Sequence, residues 1–187
     1  HKPISLPISG DVQFIPRLTG DINHKYVMGI DPAAELDNFA IIILEIYPDH
    51  RRVVYCWTVN KKIHHLLLKE GIATENNYYS FCVSKIRSLL KRFNIVRIGL
   101  DMQGGGTTIE EGLHDINNLH SGEKPLWRTV DYDKPKDMDT FAGEHIIEAL
   151  QFAEGKWVNE ANHGLKKDME EKSLLFPYFD TISIALA

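Results

Sequence analysis

Apolar residues form three runs near the start of the chain. Lys25 to Ile30, Phe39 to Tyr47 and Arg51 to Val59 are rich in Val, Ile and aromatic residues, which favour β-strands. Pro48 to His50 supplies a turn between the second and third runs. Three sequential strands joined by short turns predict an antiparallel meander.

The apolar spacing then changes to that of an amphipathic helix. From Asn76 to Phe93, apolar side chains recur at intervals of three and four residues. The short apolar run Ile95 to Leu100 predicts a buried strand, and a second helix is expected from about Thr107 to Leu119, just after three glycines. The order in this region is therefore helix, strand, turn, helix.

The last third of the chain has weaker patterns. Leu126 to Val130 predicts a fifth strand, and Met138 to Phe152 predicts a third helix because its apolar residues share one helical face. Leu165 to Ser173 can form a charged helix, and Tyr178 to Ala187 predicts a final apolar helix after Pro177.

This order of elements predicts the fold class. A three-strand antiparallel meander followed by alternating helices and strands indicates an α/β protein, with parallel strands extending a mixed sheet and helices on both faces. RNase H-like domains are one of the few common folds with that order. Residues 1–24 are interrupted by Pro and Gly and predict an extended arm or linker, which leaves residues 25–187 as the domain.

Composition narrows the class of protein. The 187 residues, 43% of them hydrophobic, suffice for one core but not for two roomy domains. His1 is not an initiator Met and Ala187 lies inside an apolar run, so we expect a piece of a longer polypeptide. The net charge of -5 gives no general attraction to nucleic acid, so any DNA affinity must come from a local basic face or from bound metal.

The cysteines and the apolar runs bear on the compartment. Cys56 and Cys82 lie in apolar stretches without CxxC spacing, which predicts buried free thiols in a reducing compartment and no zinc knuckle. The longest apolar runs, such as Phe39 to Ile46, are far shorter than the roughly 18 residues of a membrane span. We therefore expect a cytosolic protein that does not associate with a membrane.

Two aspartates stand directly after predicted strands. Asp31 follows Ile30, and Pro32 prevents the strand from continuing its hydrogen bonds, while Asp101 follows Leu100 at the matching point of a later strand. Carboxylates at the carboxyl ends of neighbouring strands can converge, and a divalent cation would neutralise them. Each Asp alone can instead cap the following turn, but the matching pair favours a metal site.

The ligand type predicts the ion. Hard oxygen ligands without a Cys or His cluster favour Mg²⁺ or Mn²⁺. A two-ion site needs a third acid, for which Asp180 at the start of the last predicted helix is the candidate, with an N-cap as its alternative role. In the loop after Asp31, Asp37 can contact a metal through water, whereas Glu35 is expected to be solvated.

The glycines after Asp101 form a candidate anion site. Gly104 and Gly105 give flexible backbone ahead of a helix whose first residues, including Thr107, offer free N–H groups to a phosphate. The segment is not a Walker A loop because no GK[ST] follows.

Two basic groups are further candidates for DNA contact. Lys61 and Lys62 begin a cluster that continues with His64, His65 and Lys69. His163 and Lys166 form a second group, with Lys167 beside them. Both groups can contact phosphates, and a solvated surface is the alternative for each.

Three stretches resemble a known family. They are VMGIDPAAELDNFAIIIL from Val27, IVRIGLDMQGGGTTIEEGL from Ile95 and FPYFDTISIALA from Phe176. They resemble the acidic motifs of the C-terminal nuclease domain of the large terminase subunit of tailed bacteriophages, the motor protein that packages and cuts viral DNA. The third is a divergent form, since Ser183 stands where the family often has a second Asp.

The resemblance covers roughly residues 25–187 and implies an RNase H-like nuclease preceded by an ATPase domain. It implies that Asp31, Asp101 and Asp180 hold two Mg²⁺ or Mn²⁺ ions. The expected activity is cleavage of double-stranded viral DNA during genome packaging by two-metal-ion phosphodiester hydrolysis. Asp31 would bridge both ions, Asp101 and Asp180 would each bind one, and Asp37 would orient a bound water.

The family also implies partners and a location. The partners are double-stranded DNA, the upstream ATPase domain, the portal and the small terminase subunit. The location is the host cytoplasm, and the protein would be absent from the mature virion.

Two other classes of function remain open. An RNase H-like module used only for DNA binding or assembly needs no metal and would leave the three acids as caps, although the net charge of -5 makes this less attractive. An ATPase of the sugar-kinase and actin kind shares the early strand order. It would need a Gly-rich phosphate loop between its first two strands, and Pro32 to Asn38 contains no Gly.

Overall fold

The computed structural model describes residues 16–32, 37–151 and 155–176, without the side chains of 156 and 157. The strands in these ranges are β1 (Lys25–Asp31), β2 (Phe39–Ile46), β3 (Arg51–Val59), β4 (Ile95–Asp101), β5 (Leu126–Arg128), β6 (Glu144–Leu150) and β7 (Leu174–Leu175). The helices are α1 (Lys61–Lys69), α2 (Tyr78–Leu90), α3 (Gly106–His114) and α4 (Gly155–Glu170).

The strands form one mixed sheet in the order β5-β6-β4-β1-β2-β3-β7. β1, β2 and β3 are the predicted antiparallel meander, in which Asp31 lies opposite Ala40 and Phe39 lies opposite Val59. β4 runs parallel to β1, and β6 runs parallel to both β4 and β5. The carboxyl ends of β1, β3, β4 and β6 therefore lie at one end of the sheet, which we call the Asp31 end.

One face of the sheet carries the core. Every second residue of β1 is buried, namely Tyr26, Met28 and Ile30. These side chains pack in one cluster with every second residue of β2. α2 and α3 cover this face with their apolar side chains, which include Cys82, Ile86, Leu89, Ile109 and Leu113. Hydrophobic burial at these positions, worth about 1.5–3 kcal/mol for a large side chain, fixes both helices against the strands that end in Asp31 and Asp101.

The structure corrects one predicted element. The helix expected from Met138 to Phe152 is wrong, because this stretch forms a 3₁₀ turn at Asp137–Thr140 and then β6. The apolar residues of β6 fit helical spacing, but Ile147 pairs with Ile98 and Leu150 pairs with Asp101 in a parallel ladder. Pairing with β4 and β5 supplies the hydrogen bonds that a local helix would otherwise have made.

Smaller differences concern the ends of elements and one thiol. α4 begins at Gly155, ten residues before the predicted start at Leu165. The basic cluster after β3 forms α1, whose N-cap Asn60 accepts a hydrogen bond from the N–H of Ile63. Cys82 is buried as expected, but the prediction of a buried thiol is wrong for Cys56, which is exposed.

The last part of the predicted N-terminal arm is attached to the sheet. The N–H of Arg17 donates to the carbonyl of Val54 at 2.9 Å, and that of Gly20 donates to Arg92 at 2.8 Å. His24 and Arg17 both contact the buried carboxylate of Glu45, at 2.6 and 2.8 Å. These contacts lie at the end of the sheet opposite Asp31, where β1 begins.

Some predictions fall outside the described residues. They are the first part of the arm, Glu35, Asp180 and the helix from Tyr178 to Ala187. Among the described helices, none combines the length and hydropathy that a bilayer crossing requires.

Candidate active site

Asp31 and Asp101 end two adjacent parallel strands. Their preceding residues, Ile30 and Leu100, are direct partners in the β1–β4 ladder, and neighbouring strands lie about 4.8 Å apart. Ile30 and Leu100 both point into the core. Because side chains alternate along a strand, Asp31 and Asp101 both point to the opposite face of the sheet. The structure thus brings these two residues to adjacent strand ends, as the sequence predicts for the strands that carry them.

The two carboxylates influence each other electrostatically. The pKa of Asp31 is raised, first by desolvation and then by the negative charges of Asp101 and Asp37. In the described part of the chain, no Lys, Arg or His forms an ion pair with any of the three. The arrangement therefore concentrates negative charge, and the described residues supply no counter-charge to it.

The donor set suits a hard divalent cation. Asp31 is exposed and Asp101 is half-buried, so both can be reached from solvent. One oxygen of Asp101 accepts a hydrogen bond from the N–H of Gln103 at 2.9 Å, which orients the carboxylate. Oxygen ligands of this kind match Mg²⁺ or Mn²⁺. The described residues alone contain no group of three or more acidic, His or Cys side chains close enough to hold an ion.

Glycines hold the loop after β4 against the loop after β1. The N–H of Gly105 donates to the carbonyl of Pro32 at 3.5 Å, and Gly105 is buried against the ring of Tyr79, where a Cβ would lie 2.5 Å from a ring carbon. A Cβ on Gly106 would overlap the carbonyl oxygen of Asp101. The glycines predicted to cradle an anion therefore have a packing role as well.

Of the three residues predicted to bind an anion after β4, two remain available to a ligand. Gly104, with φ of 61°, and Thr107, in the first turn of α3, are both exposed. The N-cap residue of α3 is Gly105, which has no side chain to cap the helix. Gly105, by contrast, already uses its N–H within the protein.

The basic candidates lie at different places along the sheet. Asn60, just before Lys61, donates from its side chain to the Asn38 side chain at 2.9 Å, and Asn38 follows Asp37. Lys61 and Lys62 are exposed at this position, so the structure places them at the Asp31 end. Sequence reasoning did not single out Asn60, although an Asn before a basic and apolar run is a common N-cap signal.

The α4 candidates are less well placed. His163 and Lys166 are both exposed. Asp168 pairs at 3.3 Å with Arg51. In the sheet, Arg51 lies opposite Ile46, and Ile46 lies opposite Lys25, the first residue of β1, so this ion pair is at the end of the sheet opposite Asp31. Because Lys25 is six residues before Asp31, this contact holds the end of α4 about 20 Å from the acids along the strands. The structure does not bring Lys166 together with Asp31.

The sheet order and the acidic strand ends define an α/β fold of the RNase H-like class. The fold is similar to the large terminase nuclease from thermophilic phage G20c, with a TM-score of 0.56, 15% identity and coverage of 92% of this chain and 68% of that chain. A second structure of that nuclease, with bound magnesium, gives a TM-score of 0.55 at 15% identity, covering 92% and 67%.

A longer terminase shares the fold as well. The HK97 bacteriophage large terminase matches with a TM-score of 0.51 and 13% identity, over 85% of this chain and 31% of that chain. This chain therefore spans about a third of the HK97 protein. No protein family and no curated protein matches it by sequence. The resemblance predicted from the three motifs is thus confirmed at the level of fold.

Proposed function

We propose that this chain is the divalent-metal-dependent endonuclease domain of a phage large terminase, and that it cleaves double-stranded viral DNA during genome packaging. The observation that carries the proposal is the pair Asp31 and Asp101, placed side by side with Asp37 nearby and without a described counter-charge. The likeness to phage terminase nucleases supports it.

The residues at the Asp31 end would have distinct tasks. Asp31 and Asp101 would hold Mg²⁺ or Mn²⁺, with Asp180 as third ligand and Asp37 acting through water. When bound, two such ions supply activation of the attacking water and stabilisation of the leaving oxygen of the phosphodiester. The Gln103 N–H would keep Asp101 oriented toward them.

DNA would approach over the surface beside these acids. Gly104 and Thr107 offer exposed backbone and side-chain donors to a phosphate, while Lys61 and Lys62 offer positive charge. His163 and Lys166 remain weaker candidates for contact because of their placement on α4, and so does Gly105, whose N–H is already bonded.

The wider assembly belongs to the same proposal. An ATPase domain upstream in the same polypeptide would deliver DNA, with the linker within residues 1–24, and the portal and small terminase subunit would be further partners. Cleavage would take place in the host cytoplasm, before the virion matures.

Cleavage of supercoiled plasmid tests the proposal. The chain is incubated with Mn²⁺, Mg²⁺ or EDTA, alongside Asp31→Asn, Asp101→Asn and Asp180→Asn. Asp49→Asn is the matched control, because Asp49 is exposed in the β2–β3 turn at the opposite end of the sheet. We expect metal-dependent nicking that is lost in the first two variants and kept in the control.

The other outcomes are equally informative. Full cleavage by Asp31→Asn would exclude Asp31 as a ligand, and full cleavage by Asp180→Asn would move the third ligand to another acid. A folded wild-type chain that binds DNA in EDTA but cuts with no ion would instead indicate an RNase H-like binding module.

A further inference from the structure

Helix α1 has a basic outer face. Its four exposed basic residues, Lys61, Lys62, His65 and Lys69, fall within an arc of about 100° at 3.6 residues per turn. We call this set the α1 basic face. The inner side contains His64, which is buried, and Leu67 and Leu68, which are half-buried. The nine-residue helix contains no acidic side chain.

Lys62 and Lys69, two of the lysines on this face, lack a counter-charge among the described residues. Lys62, His65 and Lys69 form no ion pair with any residue in the described ranges. On α4, by contrast, Lys166 pairs with Glu170 at 3.7 Å and Lys167 pairs with Glu171 at 3.9 Å. In a chain of net charge -5, the α1 basic face is therefore a local exception that can attract a polyanion.

Helix α1 is attached at the Asp31 end of the sheet. The Asn60–Asn38 hydrogen bond ties the start of α1 to the segment that carries Asp37. On its inner side, His64 contacts the carbonyl of Glu75 at 2.9 Å and packs against the ring of Phe81. A nine-residue helix is about 13 Å long, which corresponds to roughly four nucleotides of rise along one DNA strand.

We infer that the α1 basic face binds the phosphate backbone of double-stranded DNA at the Asp31 end of the sheet, and that it supplies much of the affinity that the negative charge of the acids opposes. The inference rests on the proposed function and deepens it by assigning the surface that holds the substrate. Contacts of this kind carry no base specificity and weaken steeply with salt, because each neutralised phosphate releases condensed counterions.

The test measures binding without cleavage. A fluorescent 30-base-pair duplex is titrated in EDTA by anisotropy at 50–200 mM salt, with wild type and the double variant Lys62→Gln/Lys69→Gln. The matched control is Lys124→Gln/Lys172→Gln, which removes the same charge from exposed positions near the starts of β6 and β7, at the end of the sheet opposite Asp31. Lys62→Arg/Lys69→Arg keeps the charge on α1, and thermal unfolding checks that every variant is folded.

We expect the α1 variant to bind about tenfold more weakly at 50 mM salt. Its plot of log K against log salt should be shallower by about 2, since each phosphate contact contributes about 0.9. The Arg variant and the Lys124→Gln/Lys172→Gln control should stay within about twofold of wild type, because the first keeps the charge on α1 and the second removes charge elsewhere.

Several results would overturn the inference. They are unchanged binding and salt slope in the α1 variant, an equal loss in the Lys124→Gln/Lys172→Gln control, or no duplex binding by the wild-type chain. Binding of poly-glutamate in preference to duplex would assign the face to an acidic protein partner instead. Because all of this is measured in EDTA, failure here is distinct from failure of metal-dependent cleavage.

Discussion

A Cβ on Gly106 would overlap the carbonyl oxygen of Asp101, so there is no space for a side chain at this position. α3 consequently begins immediately behind the carboxyl end of β4, and the position of the Asp101 backbone depends on the first residue of the helix. A helix that started with any other amino acid would have to move away from the strand end.

Replacement of Gly106 by Ala should damage both stability and the site. The added methyl group must displace backbone rather than a flexible side chain, so we expect a loss of about 1–3 kcal/mol in the free energy of unfolding. We also expect a several-fold slower Mn²⁺-dependent nicking rate. Urea unfolding and plasmid cleavage measure the two effects.

Gly164→Ala is the control for that substitution. Gly164 lies inside α4, where an added Cβ would meet nothing within 4 Å, so Ala should stabilise the protein by about 0.5–1 kcal/mol through its higher helix propensity. If Gly106→Ala were as stable as wild type, the close approach of α3 to β4 would not constrain the site.

Asp31→Asn should stabilise the metal-free protein and abolish its response to metal. The pKa of Asp31 is raised by desolvation and by the charges of Asp101 and Asp37, so the folded state binds this proton more tightly than the unfolded state does. Stability from this group is therefore present at low pH and falls as the pH rises through the pKa. At pH 7 the neutral Asn should raise Tm slightly, by roughly 1–2 °C.

Differential scanning fluorimetry with Mn²⁺ or EDTA checks this prediction. Wild type should gain Tm on addition of Mn²⁺, because a ligand that binds only the folded state stabilises it, and Asp31→Asn should not. Asp49→Asn serves as the control and should respond as wild type does. A lower Tm for Asp31→Asn in EDTA would show that the carboxylate is stabilised by its surroundings rather than strained.

Local patterns were sufficient to predict the strands that position the acids. β1 and β4 each end in Gly, an apolar residue and Asp, so both the element and the end point could be recognised in the sequence. β6 could not, because its apolar residues satisfy helical spacing and only Ile147 is fully buried. Its conformation is decided by pairing with β4, nearly fifty residues earlier in the chain.

The surroundings of the acids were less predictable for the same reason. Lys61 and Lys62 lie at the Asp31 end because β3 pairs with β2, which puts Val59 opposite Phe39, 20 residues earlier in the chain. The position of Lys166 depends on the Asp168–Arg51 ion pair between residues 117 apart. Both basic groups can be recognised in the sequence. Only tertiary contacts decide that the α1 group lies at the Asp31 end of the sheet and that the α4 group is attached at the other end.

Arg128→Lys should weaken the attachment of α3 to β5. Arg128 donates to the buried carboxylate of Glu110 through two nitrogens, at 2.6 and 2.7 Å, and Lys cannot reproduce this paired geometry. Since the Arg128 side chain is 39% exposed, solvent reduces the effect, and we expect a loss of about 1–2 kcal/mol in urea unfolding.

The exposed pair of Arg97 and Glu148 provides a matched comparison. Their atoms lie 3.0 Å apart, with side chains 55% and 44% exposed, so Arg97→Lys should cost about 0–0.5 kcal/mol. Equal losses for the two Arg→Lys variants would show that burial of Glu110 adds nothing to its interaction with Arg128.

Glu45 should make stability depend on pH in the acidic range. Its side chain is fully buried, which alone would raise its pKa, but hydrogen bonds led by those from His24 and Arg52 lower the pKa to about 2. In the unfolded chain a Glu titrates near 4.5. A carboxylate whose pKa is lowered by folding stabilises the folded state fully at pH values above the pKa it has in the unfolded chain. That contribution is lost as the pH falls from about 4.5 toward 2.

Replacing Glu45 by Gln removes this contribution and loosens the segment before β1. At pH 7 we expect a loss of about 2–3 kcal/mol, below the usual cost of breaking a buried ion pair because Arg17 and Arg52 are more than a third exposed. The difference between wild type and variant should shrink as the pH falls below about 4.5. Trypsin should also cut faster after Arg17, whose side chain Glu45 holds at 2.8 Å. A difference in stability that stayed constant from pH 7 to pH 3 would mean that Glu45 acts through packing and not through its charge.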